Sequence, residues 1–142
     1  MEQRKPESLD QTWIIDLDGT IVKHRTNIDL DKWIEQYGAE ESWKQEEILD
    51  GVSQFFDNLS AHDKIVFMTA REERHREHTC NMLKNFGIPY SDIIFSANAG
   101  PRIIMNDIKP KERCGLDYDL KTAYAVNLRR NEGLKNVPLS FV

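Results

Sequence analysis

The chain has 142 residues and a mass of 16.6 kDa, with 39% apolar and 30% charged residues, which predicts one domain with its own core and excludes a mainly disordered chain. Its 19 Lys and Arg against 24 Asp and Glu give a net charge of −5, which argues against a general polyanion binder. No apolar run is long enough to cross a membrane, and the N-terminal residues show no secretory signal, so we expect a cytoplasmic protein. The two cysteines lack metal-binding spacing and are expected to be reduced thiols.

The first predicted strand, residues 13–15, is apolar and runs into the loop sequence Asp-Leu-Asp-Gly-Thr at residues 16–20. This pattern is typical of a buried strand that meets a loop. Helical spacing of apolar residues then predicts a helix from about residue 28, capped by an aspartate and ended by Gly38. A second amphipathic helix is predicted over residues 52–59.

Four more strands are predicted downstream, at residues 65–68, 93–95, 103–105 and 123–126. A helix over residues 72–86 separates the first two of them. Strands that are apolar throughout and mostly separated by helices predict a parallel sheet covered on both faces. We therefore expect an α/β fold with five strands.

Reactive side chains follow three of these strands. Asp16 and Asp18 follow the first strand, Thr69 follows the second and Asp107 follows the fourth. Ligands of parallel sheets bind beyond the carboxyl ends of the strands, so these groups are expected to converge. Three carboxylates without clustered His or Cys suit Mg²⁺, which commonly completes its shell with phosphate. Gly19 allows a tight turn beside such a ligand.

Other interpretations of the Asp-x-Asp-Gly fragment are less favoured. The fragment alone is also common in simple turns. An EF-hand loop is excluded because Ile21 and Asn27 stand where that loop needs a glycine and a bidentate acid. A P-loop is excluded because its glycine-lysine signature is absent from the sequence.

Three segments resemble, in order and spacing, the motifs of the haloacid dehalogenase superfamily. Residues 13–22 resemble its first motif, Asp-x-Asp-x-Thr after the first strand; residues 65–71 resemble the second, and residues 103–107 the last. The resemblance implies a Rossmann-like three-layer sandwich with a mainly parallel five-stranded sheet. It also implies a single domain over residues 1–142 with a short cap insertion at about 23–50.

The resemblance further implies a phosphatase mechanism. Asp16 would be the nucleophile that forms an aspartyl-phosphate, and Asp18 would protonate the leaving alcohol and then activate water. Mg²⁺ would be held by the Asp16 carboxylate, the Asp18 carbonyl and Asp107.

The same resemblance implies how the phosphoryl group would be held. Thr69 and the backbone N–H groups near Leu17 and Ala70 would bind its oxygens. Arg71, next to this site, is the best candidate within the basic segment 71–78 for a second anionic group. A solvated face balanced by neighbouring glutamates is the favoured interpretation of the rest of that segment.

The sequence departs from the family pattern at the cation that usually precedes the last motif. Between Ser96 and Asp107 the cation is Arg102, which begins a predicted strand and so lies near the wrong end of the sheet. Lys109 is better placed on the loop and is our preferred catalytic cation. The aromatic residues of the insertion, Trp33, Tyr37 and Trp43 among them, are expected to pack the insertion onto the sheet rather than stack on a substrate.

The favoured function is a Mg²⁺-dependent phosphomonoester hydrolase that acts through an aspartyl-phosphate, with a sugar phosphate as the first guess for its small-molecule substrate. The alternatives are a nucleotide or nucleic-acid-end phosphatase and a non-catalytic phosphate-binding or regulatory module. Nucleic acid is the less favoured partner, and no membrane partner is expected. A weakly capped site is also compatible with a homo-oligomer.

Overall fold

A computed structural model describes residues 9–142 and builds its sheet from three parallel strands in the order β1-β2-β3. Phe67 of the central strand lies opposite Ile15 on one side and Ile93 on the other, and all three are buried. The strands are β1 (Thr12–Ile15), β2 (Lys64–Met68) and β3 (Asp92–Ile94). The first three predicted strands are therefore confirmed.

Residues 9–142 also form four α-helices and two short 3₁₀ helices. Thr26, and not the aspartates we expected, caps α1: its side chain accepts from the Asp29 N–H while the Asp29 carboxylate accepts from the Thr26 N–H. Gly38 ends this helix as predicted. The α-helices are α1 (Asn27–Tyr37), α2 (Val52–Asn58), α3 (Arg76–Asn85) and α4 (Lys111–Cys114), and the 3₁₀ helices are Ser42–Gln45 and Glu73–His75.

The core lies between the sheet, α2 and α3. Phe67 is fully buried at its centre, and Trp13 meets Phe55 edge to face with ring centroids 5.1 Å apart. Trp43 packs against Phe86 in the same way, at 5.9 Å, which agrees with the expected packing role of that insertion residue. The insertion is thus fixed to the domain by its aromatic side chains.

The expected five-stranded, three-layer sandwich is wrong. The predicted strands at 103–105 and 123–126 are irregular chain without ladder partners in the described structure, and Ile103 and Met105 are 85% and 92% exposed. A parallel crossover takes about a dozen residues or more, usually with a helix, and the connection over residues 95–102 is shorter than that. The apolar run indicated a strand, but its place in the chain left too short a connection for it to join this sheet as the predicted parallel strand.

The C-terminal segment returns to the first half of the chain. The Leu134 N–H donates to the Asp50 carbonyl at 2.9 Å, and the Leu134 side chain joins the main core. None of the helices formed by residues 9–142 has the length and apolar character needed to cross a membrane.

Gly133 provides a stability test of this return. Its φ is +82°, and a Cβ there would collide with the backbone of Asp50, so we expect Gly133→Ala to cost about 2–4 kcal/mol in urea unfolding. Gly115→Ala is the control, because Gly115 has a similar φ of +70° but nothing within 4 Å of the added Cβ. Equal losses in both variants would show that the segment 133–137 does not pack closely on Asp50.

Candidate functional site

The loop after β1 is built on the carbonyl of Leu17, which accepts from the N–H groups of Thr20, Ile21 and Val22 at 3.1, 2.9 and 3.3 Å. Leu17 itself is fully buried and anchors the loop in the core. Asp16 keeps an exposed side chain at the end of the strand. The fold thus presents one carboxylate to solvent on a rigid turn.

The ionisation of Asp16 is perturbed by its surroundings. Desolvation by the packed chain raises its pKa, and the nearby Asp18 charge adds to this, while the Leu17 N–H and the charges of Arg102 and Arg71 act in the opposite direction. The net effect is a pKa above the ordinary value.

Asp18 is held by Arg71 in a two-point ion pair. The Arg71 Nε donates to Asp18 Oδ2 at 3.0 Å and Nη2 donates to Oδ1 at 2.9 Å. Arg71 is 1% exposed, so this pair lies at the boundary between the core and the loop. Sequence analysis assigned Arg71 to substrate binding, whereas its guanidinium faces protein groups in this structure.

A buried polar chain continues from Arg71 into the insertion. Glu46 Oε2 accepts from Arg71 Nη1 at 2.6 Å and lies 2.9 Å from His78 Nε2, and His78 Nδ1 lies 2.6 Å from the Ser42 hydroxyl. Burial alone would raise the pKa of Glu46, but the hydrogen bond from His78 and the charge of Arg71 outweigh it and hold that pKa below its ordinary value. Oxygen Oε1 of Glu46 is buried without a hydrogen-bond partner.

We call the residues Asp18, Arg71, Glu46, His78 and Ser42 the buried polar chain. Glu46 and Ser42 were not predicted as site residues, because both lie in a polar insertion with no motif around them. The Ser-His-Glu order is similar to that of a hydrolytic triad, but the Ser42 side chain is fully buried and no substrate can reach it in this arrangement. The buried polar chain therefore positions Asp18 rather than providing a nucleophile of its own.

Thr69 lies next to the loop but faces inward. It is fully buried, its hydroxyl accepts from the Arg71 N–H at 3.0 Å, and its N–H donates to Ile94 at 2.9 Å. Its neighbour Ala70 is half-buried. The structure thus brings Thr69 to the same sheet edge as Asp16, as predicted, but does not expose its hydroxyl to solvent.

The last predicted motif lies in irregular chain that contacts residues 120–122. Asp107 is exposed, and its carbonyl accepts from the Thr122 hydroxyl; Lys109 pairs with Leu120 through two backbone hydrogen bonds of 2.8 Å. Among residues 9–142 no group of three or more His, Cys, Asp or Glu is arranged to hold a metal ion. The set that the resemblance implies, the carboxylates of Asp16 and Asp107 with the Asp18 backbone carbonyl, is smaller than such a group and stays a prediction.

The C-terminal segment contacts the loop at Gly19. The Gly19 carbonyl accepts from the Asn131 N–H at 2.8 Å, and the Asn131 side chain accepts from the His24 N–H at 2.7 Å. The stem of Arg130 lies over the glycine, with Cγ 3.0 Å from where a Cβ would stand. Because Gly19 also has a φ of +84°, only glycine fits both the turn and this contact.

A second polar cluster joins α1 to the start of α3. Arg74 donates twice to Asp31, at 3.0 and 3.1 Å, and His75 Nε2 lies 2.7 Å from the same carboxylate. Arg76 pairs with Glu73. The expected solvated face is thus present at Arg74 and Arg76, whereas the ring of His75 is buried.

Asp31 offers a direct titration test. Its hydrogen bonds with Arg74, and then with His75, lower its pKa to about 2, so its stabilising contribution is complete above about pH 4 and is lost as the pH falls through 2. We expect an NMR titration midpoint near 2 that moves toward 3.8 in Arg74→Ala. Arg76→Ala, which removes an ion pair elsewhere on the same face, should leave the midpoint unchanged; an equal shift in both variants would contradict the pairing.

Comparison with known proteins gives a distant structural likeness. No protein-family model and no curated protein matches the chain. Two solved structures, "Structure of Pnkp1/Rnl/Hen1 complex" and "Structure of the Pnkp1/Rnl/Hen1 RNA repair complex", are each 22% identical with a TM-score of 0.47. The matches cover 71% and 72% of this chain but 33% and 30% of those chains, so this chain spans about a third of their length. A likeness of this degree is too distant to assign a function.

Proposed function

We propose that the chain is a phosphomonoester hydrolase with Asp16 as its nucleophile. The observation that carries the proposal is an exposed carboxylate on a rigid turn at the end of β1, two residues before a second carboxylate that is held in place. The resemblance of residues 13–22 to the first haloacid dehalogenase motif supports the same roles. The proposal does not depend on the sheet having five strands.

The chemistry divides into two displacements. One Asp16 oxygen attacks phosphorus, the bond from phosphorus to the ester oxygen breaks, and the leaving alkoxide takes a proton from Asp18. Water then attacks the aspartyl-phosphate, gives its proton to Asp18 and releases phosphate and Asp16. Because Arg71 donates to both Asp18 oxygens, at 2.9 and 3.0 Å, one of these contacts must open and the freed oxygen must take a proton from solvent before Asp18 can protonate the leaving alkoxide.

No step of this scheme is routed through magnesium, and its binding by Asp16, the Asp18 carbonyl and Asp107 stays a prediction. Arg102 is a second candidate, beside the predicted Lys109, for the cation that would offset the charge of Asp16 and the phosphate. Its charge lowers the pKa of the Asp16 carboxyl, which supports a role for Arg102 beside this site. Our preference for Lys109 stays a prediction.

A non-catalytic phosphate-binding module is the second candidate. The observation that favours it is the inward hydroxyl of Thr69, which is fully buried, together with the two-point hold of Arg71 on Asp18. A site closed in this way could bind an anion without turning it over. Nucleotide and sugar phosphates are both suitable in charge for either candidate.

Phosphate release from a broad panel of phosphomonoesters tests the proposal. The panel contains p-nitrophenyl phosphate, sugar phosphates, nucleotides and an oligonucleotide with a terminal phosphate, each assayed with Mg²⁺ and with EDTA. We expect turnover of at least one class by the purified chain. Binding of phosphate without turnover of any ester would favour the second candidate.

A further inference from the structure

We infer that Arg130 is a substrate-binding residue of the Asp16 site, and that it selects phosphomonoesters that carry a second phosphate group. The inference deepens the proposed function and rests on it. It starts from the contact of the Arg130 stem with Gly19, the glycine of the Asp16 loop. No motif pointed to this residue, because Arg130 lies more than a hundred positions from Asp16 in the chain.

The position of Arg130 is fixed by its neighbour. Asn131 donates from its backbone to Gly19 and accepts from the His24 N–H through its side chain, so two hydrogen bonds of 2.8 and 2.7 Å hold this segment on the loop. Gly19 is three residues from Asp16, which limits their Cα separation to about 11 Å. The flexible side chain of Arg130, whose stem lies against Gly19, can therefore bind groups attached to a substrate at Asp16.

Lys23, Arg25 and Arg74 are paired with protein carboxylates, whereas Arg130 is not paired in this way among the described residues. Lys23 and Arg25 both face Glu47, at 3.8 and 3.4 Å, and Arg74 pairs with Asp31. Arg130 is exposed and has no ion pair with any carboxylate in the described part of the chain. An exposed guanidinium beside a proposed phosphate site is available to bind an anion.

The charge of the site explains why a second cation is useful. Asp18 and Glu46 share a single buried guanidinium, that of Arg71, and Asp16 adds a third carboxylate on which the charge of Arg102 also acts, so acidic groups outnumber basic ones before any substrate arrives. Phosphate is repelled by such a site unless exposed cations compensate. Arginine suits this role because its planar fork donates two parallel hydrogen bonds to phosphate oxygens.

The experiment compares substrates with one and two phosphates. Glucose 1,6-bisphosphate is measured against glucose 6-phosphate, and adenosine 3′,5′-bisphosphate against the two adenosine monophosphates, so the sugar and nucleotide sources are separated. We expect the second phosphate to raise kcat/KM about tenfold or more in one pair. Arg130→Ala should remove most of this preference, and Arg130→Lys should keep part of it.

Arg113→Ala is the matched control, because it removes the same charge from an exposed position on α4. It should leave the preference unchanged. If Arg130→Ala keeps the wild-type ratio between bisphosphate and monophosphate, the inference is wrong even when the enzyme turns over phosphoesters normally.

Calorimetric binding of the same bisphosphates to Asp16→Asn separates this inference from the proposed function. If wild-type chain hydrolyses nothing but the bisphosphate binds, and Arg130→Ala in that background weakens binding about tenfold, the hydrolase proposal fails and the role of Arg130 stands. If hydrolysis occurs but binding and preference are both independent of Arg130, the hydrolase proposal stands and the role of Arg130 fails.

Discussion

Replacing Asp16 by asparagine is expected to lower phosphate release by at least about a thousandfold, because an amide cannot form the acyl-phosphate intermediate. The same change should stabilise the fold at neutral pH. Ionised Asp16 is unfavourable in the folded chain, as its raised pKa shows, and asparagine removes that charge. The variant should therefore melt at a higher temperature than wild type at pH 7.

The stability difference between Asp16→Asn and wild type should depend on pH. Because folding raises the pKa of Asp16, ionisation of this carboxyl destabilises the folded chain as the pH rises above 3.8. The stability advantage of Asp16→Asn over wild type should therefore disappear below about pH 3.8, where residue 16 is neutral in both proteins. Asp57→Asn is the control, since Asp57 is an exposed acid on α2. If Asp16→Asn keeps wild-type turnover, Asp16 is not the nucleophile.

Arg71→Met should produce the largest loss of stability, about 3–5 kcal/mol in urea unfolding at pH 7. The change removes the partner of both Asp18 and Glu46, and uncompensated buried charges are costly. Glu46→Gln added to Arg71→Met should recover part of the loss, because it neutralises the buried carboxylate. Unfolding midpoints of the two single variants, the double variant and wild type give the coupling energy between the two residues.

Arg76→Met is the control for this prediction. Arg76 pairs with Glu73 at 2.8 Å, but both side chains are about half exposed or more, so its ion pair should contribute about 1 kcal/mol or less. If the two arginine variants lose equal stability, the buried polar chain does not hold Arg71 in the way described. A deficit confined to Arg71→Met supports it.

The sequence predicted the local features of the site well. The strand that ends at Ile15, the turn at Gly19 and the adjacent strand that ends before Thr69 follow from apolar runs and turn residues. Their meeting at one edge follows from parallel pairing, which β1 and β2 show. Features that depend on neighbouring residues in the chain were therefore predictable.

Features that depend on partners far along the chain were not predictable. Ile103 and Met105 have the residue types of a strand, but strand formation needs a neighbour, and none pairs with them in the described structure. The ion pair of Arg71 with Glu46 joins a motif residue to an insertion without a motif. Local composition carries no information on such pairings, which explains both the missing strands and the missed Glu46.

The hydrogen bond from Asn131 to Gly19 has a consequence for biosynthesis. The residues that close the loop are translated more than a hundred codons after its aspartates. A nascent chain released before position 131 would possess both carboxylates and β2, yet would lack the hydrogen bond that fixes their turn. The turn would then reach its final form only after position 131 has been translated.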